Sequence, residues 1–193
     1  MADREKRGAL KRMIANVQPS KDFFDKLKYS DPKDELDIVF RYFVINRTAY
    51  SGIMHKPNWG YHTTKSVHPH KWPERIEKAG QKLEHARITN LDYKEVISAS
   101  SEGKSVFLFV DPPYFKTDQK RAYHHSFGLQ DHLELASLLK ATKFKFCLTY
   151  DDCSEIRRIY SWANIHEFSW RYHTANANTS TRKMGKELII TNY

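Results

Sequence analysis

The sequence predicts an α/β fold built on a mostly parallel sheet with an antiparallel edge, and three observations lead there. After residue 86, short β-prone runs alternate with amphipathic helical segments. Lys104-Ser105-Val106-Phe107-Leu108-Phe109-Val110 has the unbroken apolar character of a strand covered on both faces. The chain closes on two strand-like segments, Ile165 to Tyr172 and Glu187 to Thr191, linked by the polar stretch Thr174 to Gly185.

The elements follow in order. The first 47 residues read as helices. Ser20 is placed to cap a helix opening at Lys21, and Asp34 to Asn46 sets Leu36, Val39, Phe40 and Phe43 on one helical face. Gly52, Pro57, Gly60 and Pro69 break the periodicity between residues 48 and 72, which predicts a long irregular loop. A loop of that length inside a compact domain is uncommon without a function. A helix from Pro73 to Leu83 follows, then a strand from Ala86 to Asn90 and a helix capped by Asp92 and running to Ser98. After the apolar strand come a helix from Leu129 to Leu139, a strand from Phe144 to Tyr150 and a helix opened by Asp152, with Asp151 and Asp152 expected to cap it. The boundary falls between an N-terminal part, residues 1–85, of helices and an irregular lobe, and a sheet-bearing part, residues 86–193.

Composition narrows the function. No apolar run approaches the ~18 residues of a membrane helix, and the charged start is unlike a signal peptide, so a cytoplasmic protein with no membrane partner is expected. Cys147 and Cys153 are spaced unlike metal ligands and read as buried small hydrophobes. Only His68-x-His70 among the clustered histidines has a suggestive spacing, so no metal is expected. The net charge is +9, and its distribution matters more than its size. From Arg41 to Pro73 there is no acidic residue, while Arg41, Arg47, Lys56, Lys65 and Lys71 alternate with Tyr42, Phe43, Tyr50, Trp59, Tyr61 and Trp72. A second acid-free run, Phe168 to Lys186, contains Arg171, Arg182 and Lys183. Cations interleaved with aromatics suit a surface that grips phosphates and stacks or wedges against bases. Trp59 and Trp72 are equally placed to pack a small lobe.

Asp111-Pro112-Pro113-Tyr114 follows directly on the apolar strand. In open parallel sheets ligands lie beyond the carboxyl ends of strands. Two prolines stiffen the turn and remove two N–H donors, leaving a carboxylate, carbonyl oxygens and an aromatic ring. Those groups suit an exocyclic amine whose lone pair is delocalised into a purine: acceptors on its two hydrogens localise the pair, and a ring stacks on an extruded base. A strand-ending turn with a core tyrosine is the plainer alternative.

The turn resembles the catalytic motif of amino-methyltransferases, and much else resembles the α-class, Dam-type adenine-specific DNA methyltransferases. Tyr42-Phe43-Val44-Ile45-Asn46-Arg47-Thr48-Ala49-Tyr50-Ser51-Gly52, Asp92-Tyr93, Thr149-Tyr150-Asp151-Asp152 and the closing Arg182-Lys183-Met184-Gly185-Lys186-Glu187-Leu188-Ile189-Ile190-Thr191-Asn192-Tyr193 occur in that family's order. The resemblance implies the Rossmann-like sheet of S-adenosylmethionine-dependent methyltransferases with an inserted, mostly helical DNA-recognition lobe. It implies methyl transfer from S-adenosylmethionine to the exocyclic N-6 amine of adenine in double-stranded DNA. Asp111, Pro112, Pro113 and Tyr114 would hold the target adenine, and Asp92, Tyr93 and Asp111 would face the donor. Arg47, Tyr50, Ser51, Ile53, His55, Lys56, Lys65, Arg182 and Lys183 would meet DNA, with Tyr50 as the wedge. The sequence departs from the family at its start: the glycine loop that receives the donor's methionine end has no counterpart, and Gly8 is the only glycine before Gly52. The expected sheet is therefore N-terminally incomplete. The chain is then a gene fragment, a decayed DNA-binding remnant, or one part of a split enzyme whose partner is a separate N-terminal methyltransferase polypeptide. RNA or a protein amide is the rival substrate, and restriction-modification is one of the roles left open.

Overall fold

The computed structural model describes residues 3–116, 127–171 and 184–193. The chain forms two compact units, Met1–Thr89 and Asn90–Tyr193.

The first unit is helical. Helix α1 spans Arg4–Ala15, α2 Lys21–Tyr29, α3 Glu35–Thr48 and α4 Trp72–Lys82. Local capping sets three of the starts: Asp3 accepts from the amides of Glu5 and Lys6, Ser20 from Phe23, and Asp34 from Leu36 and Asp37. Leu10, Ile14, Val17, Val44, Trp72 and Ile76 form the core between α1, α3 and α4, each large aliphatic contributing roughly 1.5–3 kcal/mol by leaving water. Arg7 lies inside this packing, its side chain 5% exposed, with one nitrogen 3.3 Å from Glu77 and Nη1 buried without a partner among the described residues. It fits because Gly80 faces it: a Cβ there would stand 2.4 Å from the Arg7 side chain. Between α3 and α4 the chain is irregular apart from two short 3-10 turns, Tyr50–Gly52 and Pro69–Lys71.

The second unit is a four-stranded sheet with helices. Strand β1 is Phe107–Val110, β2 Lys145–Asp151, β3 Asn164–Arg171 and β4 Met184–Thr191, in the order β1-β2-β4-β3. Helix α5 is Tyr93–Ile97, α6 Leu129–Ala141 and α7 Ser154–Ile159. Only β1 and β2 run parallel; β2–β4 and β4–β3 are antiparallel, so the described sheet is mixed rather than mostly parallel. The predicted strand at Ala86–Asn90 is absent: these residues are exposed, irregular and without a ladder partner.

Alternation gives the sheet two faces. Leu108 and Val110 of β1, Phe146, Leu148 and Tyr150 of β2, and Leu188 and Ile190 of β4 point to the face packed by Leu135 and Leu139 of α6 and Ile156 of α7. The opposite face carries Phe107 and Phe109, 55% and 68% exposed, then Cys147, Thr149, Asp151 and Glu187. Cys153 is buried and Cys147 half-buried. Among the described residues no helix is long and apolar enough to cross a membrane.

Candidate active site

The turn Asp111–Tyr114 emerges where β1 ends. Continuing the parallel register that pairs Val110 with Leu148 brings Asp111 beside Thr149. The Thr149 hydroxyl donates to Asp111 Oδ1 at 2.7 Å, while the Asp111 residue stays exposed and Pro112 is buried. The acid therefore sits at the rim of the sheet, pinned through one oxygen, instead of pointing into the core.

Tyr114 is half-buried. Its hydroxyl donates to Glu187 Oε2 at 3.0 Å, and its ring lies 6.1 Å from that of Tyr150. Burial, reinforced by Glu187, pushes the phenol well above its ordinary range, so it remains a donor. Glu187 is only 5% exposed and stands opposite Asp151 in the β2–β4 ladder. Downstream of Tyr114, the amides of Phe115 and Lys116 donate to the two oxygens of Asp151 at 2.9 and 2.8 Å. Lys116 also pairs with Glu155 at 3.1 Å. The Glu155 carboxyl is held down to about 2, first by its own backbone amide and then by Lys116.

Beneath the turn lies an aromatic layer. His132, 1% exposed, shares a hydrogen bond of 2.7 Å with the Tyr150 hydroxyl, and the rings of Phe115 and Phe127 rest 5.0 and 5.4 Å from it. Burial holds the His132 ring below its ordinary pKa, partly offset by Asp151 and Asp131.

The expectation that Asp151 and Asp152 cap the following helix is overturned. The residue preceding α7 is Cys153, and no side chain caps it. Asp151 serves the turn, and Asp152 pairs with Arg157 at 2.7 and 2.9 Å. Sequence reasoning thus missed Asp151 and Glu187 as supports of the turn. One signal was available: Thr149 and Asp151, two apart on a strand, share a face and flank the turn's strand.

Asp92 and Tyr93 lie at the start of α5. The Asp92 carboxylate caps the helix by accepting from Lys94 and remains exposed. Tyr93 turns its ring toward Phe127, 5.5 Å away, and buries a hydroxyl that has no partner among the described residues. The Asp92 carboxylate thus stays accessible at the start of α5. For a methionine end the described glycines offer no cradle: of the two with positive φ, Gly52 follows α3 and Gly103 precedes β1.

In the helical unit, Tyr50 is 53% exposed at the end of α3, and its loop is tightly braced. Ser51 and Gly52 both take positive φ, and the Asn46 side chain donates to the Gly52 carbonyl at 3.0 Å. Arg47 in turn donates to Asn46 Oδ1 at 2.6 Å. The Tyr50 amide donates to the Asn58 carbonyl, and Gly60 passes so close that a Cβ would lie 2.4 Å from Tyr50 Cα. Ile53 and His55 are half-buried near this turn in sequence, while Ser51, Lys56 and Lys65 are exposed. Trp59 and Trp72 pack the lobe: Trp59 meets Phe24 edge-on at 5.7 Å, and Trp72 is fully buried with its indole donating to Val67. Arg182 and Lys183 lie outside the described residues, as do Asp118, Lys120, Arg121 and the Tyr123–Phe127 segment's His124 and His125.

Comparison with known proteins bears on most of the chain. The family described as D12 class N6 adenine-specific DNA methyltransferase matches residues 7–174. The Type II methyltransferase M.CviBI of Paramecium bursaria Chlorella virus NC1A is 23% identical over 186 residues, covering 94% of this chain and 70% of that protein.

Proposed function

The chain belongs to the D12 class N6 adenine-specific DNA methyltransferases, and from that premise we propose that the Asp111–Tyr114 turn is where the adenine amine receives its methyl group, with S-adenosylmethionine as donor. The observation that carries this reading is Asp111. It is an exposed carboxylate at the carboxyl end of a parallel strand, oriented by Thr149 and backed by a rigid proline pair.

The chemistry follows from those groups. Asp111 and the Pro112 carbonyl accept the two hydrogens of the extruded adenine amine, drawing its nitrogen out of conjugation. The Tyr114 ring, steadied through its hydroxyl by Glu187, packs against the base. When bound, S-adenosylmethionine supplies a methyl on a sulfonium. The N–C bond forms as the S–C bond breaks, and the amine gives up one proton toward Asp111 or solvent. Holding nucleophile and methyl in line accounts for the rate, and no metal is needed. Asp92 suits the donor's adenine, with Tyr93 beside it. The mixed sheet is read as part of the Rossmann-like sheet of this enzyme class.

Residues 1–85 form the lobe that recognises duplex DNA, residues 86–193 the catalytic part. Exposed Tyr50 is the wedge, with Arg47, Ser51, Ile53, His55, Lys56 and Lys65 around it, and Arg182 and Lys183 meet the backbone. A second reading concerns the donor alone: its methionine end is received by a separate polypeptide. The exposed Phe107 and Phe109 on one face of β1, beside an edge with no ladder partner among the described strands, favour it. Titration calorimetry separates the two, since that reading gives no heat with donor while duplex still binds.

The test of the function is chemical. After incubation with duplex DNA and S-adenosylmethionine, digestion and mass spectrometry should find N6-methyladenine in DNA and none in RNA treated alike. Methylation of RNA or of protein in place of DNA would overturn the reading.

A further inference from the structure

Pro112 and Pro113 have no N–H, so the turn between them cannot be anchored through its own amides. Its supports must lie on either side, and both come from one strand. Thr149 holds Asp111 before the prolines; two residues on, Asp151 takes the amides of Phe115 and Lys116 after them. A single carboxylate accepting two consecutive amides at 2.9 and 2.8 Å is a charge-assisted, two-point clamp, stronger and more directional than neutral bonds. β2 is the ladder neighbour of β1, so both supports are rigid relative to the strand that delivers Asp111.

We propose that Asp151 is a positioning residue for methyl transfer, fixing the Asp111–Tyr114 turn by clamping the two amides that follow it. The inference rests on the reading of that turn as the methylation site. Among the described residues Asp151 has no other side-chain partner: α7 has no side-chain cap, and Arg157 is engaged by Asp152 and Glu167. Glu187, directly opposite Asp151 in the ladder, holds the Tyr114 hydroxyl, so acid, carbonyl and ring are all referred to adjacent strands. Displacing the turn leaves every reacting group in the chain but moves the amine's two acceptors relative to the methyl.

Asp151→Asn in the full chain keeps the volume but leaves one acceptor oxygen for two amides. The transfer rate at saturating duplex should fall about 10- to 100-fold, as sub-ångström misplacement of reacting groups does, with duplex affinity unchanged. Asp152→Asn, which touches Arg157 and not the turn, should transfer at the wild-type rate. Amide exchange by NMR gives a reading independent of activity. In wild type the Phe115 and Lys116 amides should be protected, and Asp151→Asn should release at least one of them with the melting transition kept. Wild-type transfer in Asp151→Asn would overturn the proposal, and so would unprotected Phe115 and Lys116 amides in wild type. A wild-type chain that methylates a substrate other than adenine would instead remove the reading beneath it, whatever the amides show.

Discussion

Acid should destabilise this protein through His132 before its carboxylates respond. The ring is 1% exposed, hydrogen-bonded to Tyr150 and enclosed by Phe115 and Phe127. Burial lowers its pKa in the folded state, so the unfolded chain takes up the proton first. For a histidine held down in this way, the stabilisation is complete above the unfolded pKa near 6.5 and is lost as pH falls from there toward the folded pKa. The slope in that window is at most about 1.4 kcal/mol per pH unit for one proton, which bounds the loss at about 1.4 kcal/mol between about pH 7.5 and 5.5. Urea unfolding at the two pH values measures it. His132→Gln keeps an acceptor for the Tyr150 hydroxyl but binds no proton, so the difference between the proteins isolates this group. An equal pH dependence in both would refute the reasoning, because the linkage would then come from other residues.

Three further outcomes are expected. Gly80→Ala drives a Cβ to 2.4 Å from the buried Arg7 side chain, and should destabilise the helical unit by roughly 1–3 kcal/mol, read from its unfolding midpoint; an unchanged midpoint would count against the close packing of α1 and α4. Tyr114→Ala removes the ring steadied by Glu187, so the fluorescence change of 2-aminopurine at the target position should shrink; a full-sized change would mean that another group captures the base. If the acid-free stretches grip phosphates as proposed, duplex affinity should fall steeply with added salt as counterions are displaced, and a flat response would exclude a phosphate grip.

What the sequence disclosed and what it concealed divide by the range of the interaction. Ser20 and Asp92 act on amides two or three residues away, so each cap was legible where it stands. The β1 strand was legible from its apolar run and its end located the turn, but the expected cover on both faces fails, since Phe107 and Phe109 are exposed on one of them. The antiparallel pairing of β2 with β4 was not, because periodicity defines a strand's faces and leaves its neighbours open. Asp151 read locally as a cap because an acid before a helix is the commonest such signal. Its true partners lie 35 and 36 residues upstream, and nothing in their sequence marks two backbone amides as waiting for a carboxylate. Glu187 was concealed in the same way, 73 residues from Tyr114, although a charged residue opening the run Leu188-Ile189-Ile190 was a hint that something polar faces it. Ala86–Asn90 shows the converse error: β propensity alone does not make a strand, because burial and packing against neighbours decide it, and these residues are exposed.

The central claim, that the exposed Asp111 carboxylate performs the adenine chemistry, is tested most directly by Asp111→Ala with transfer and binding measured on one preparation. Loss of N6-methyladenine formation with duplex affinity and melting behaviour retained is the predicted result. Methyladenine formed at the wild-type rate by that variant would contradict the account.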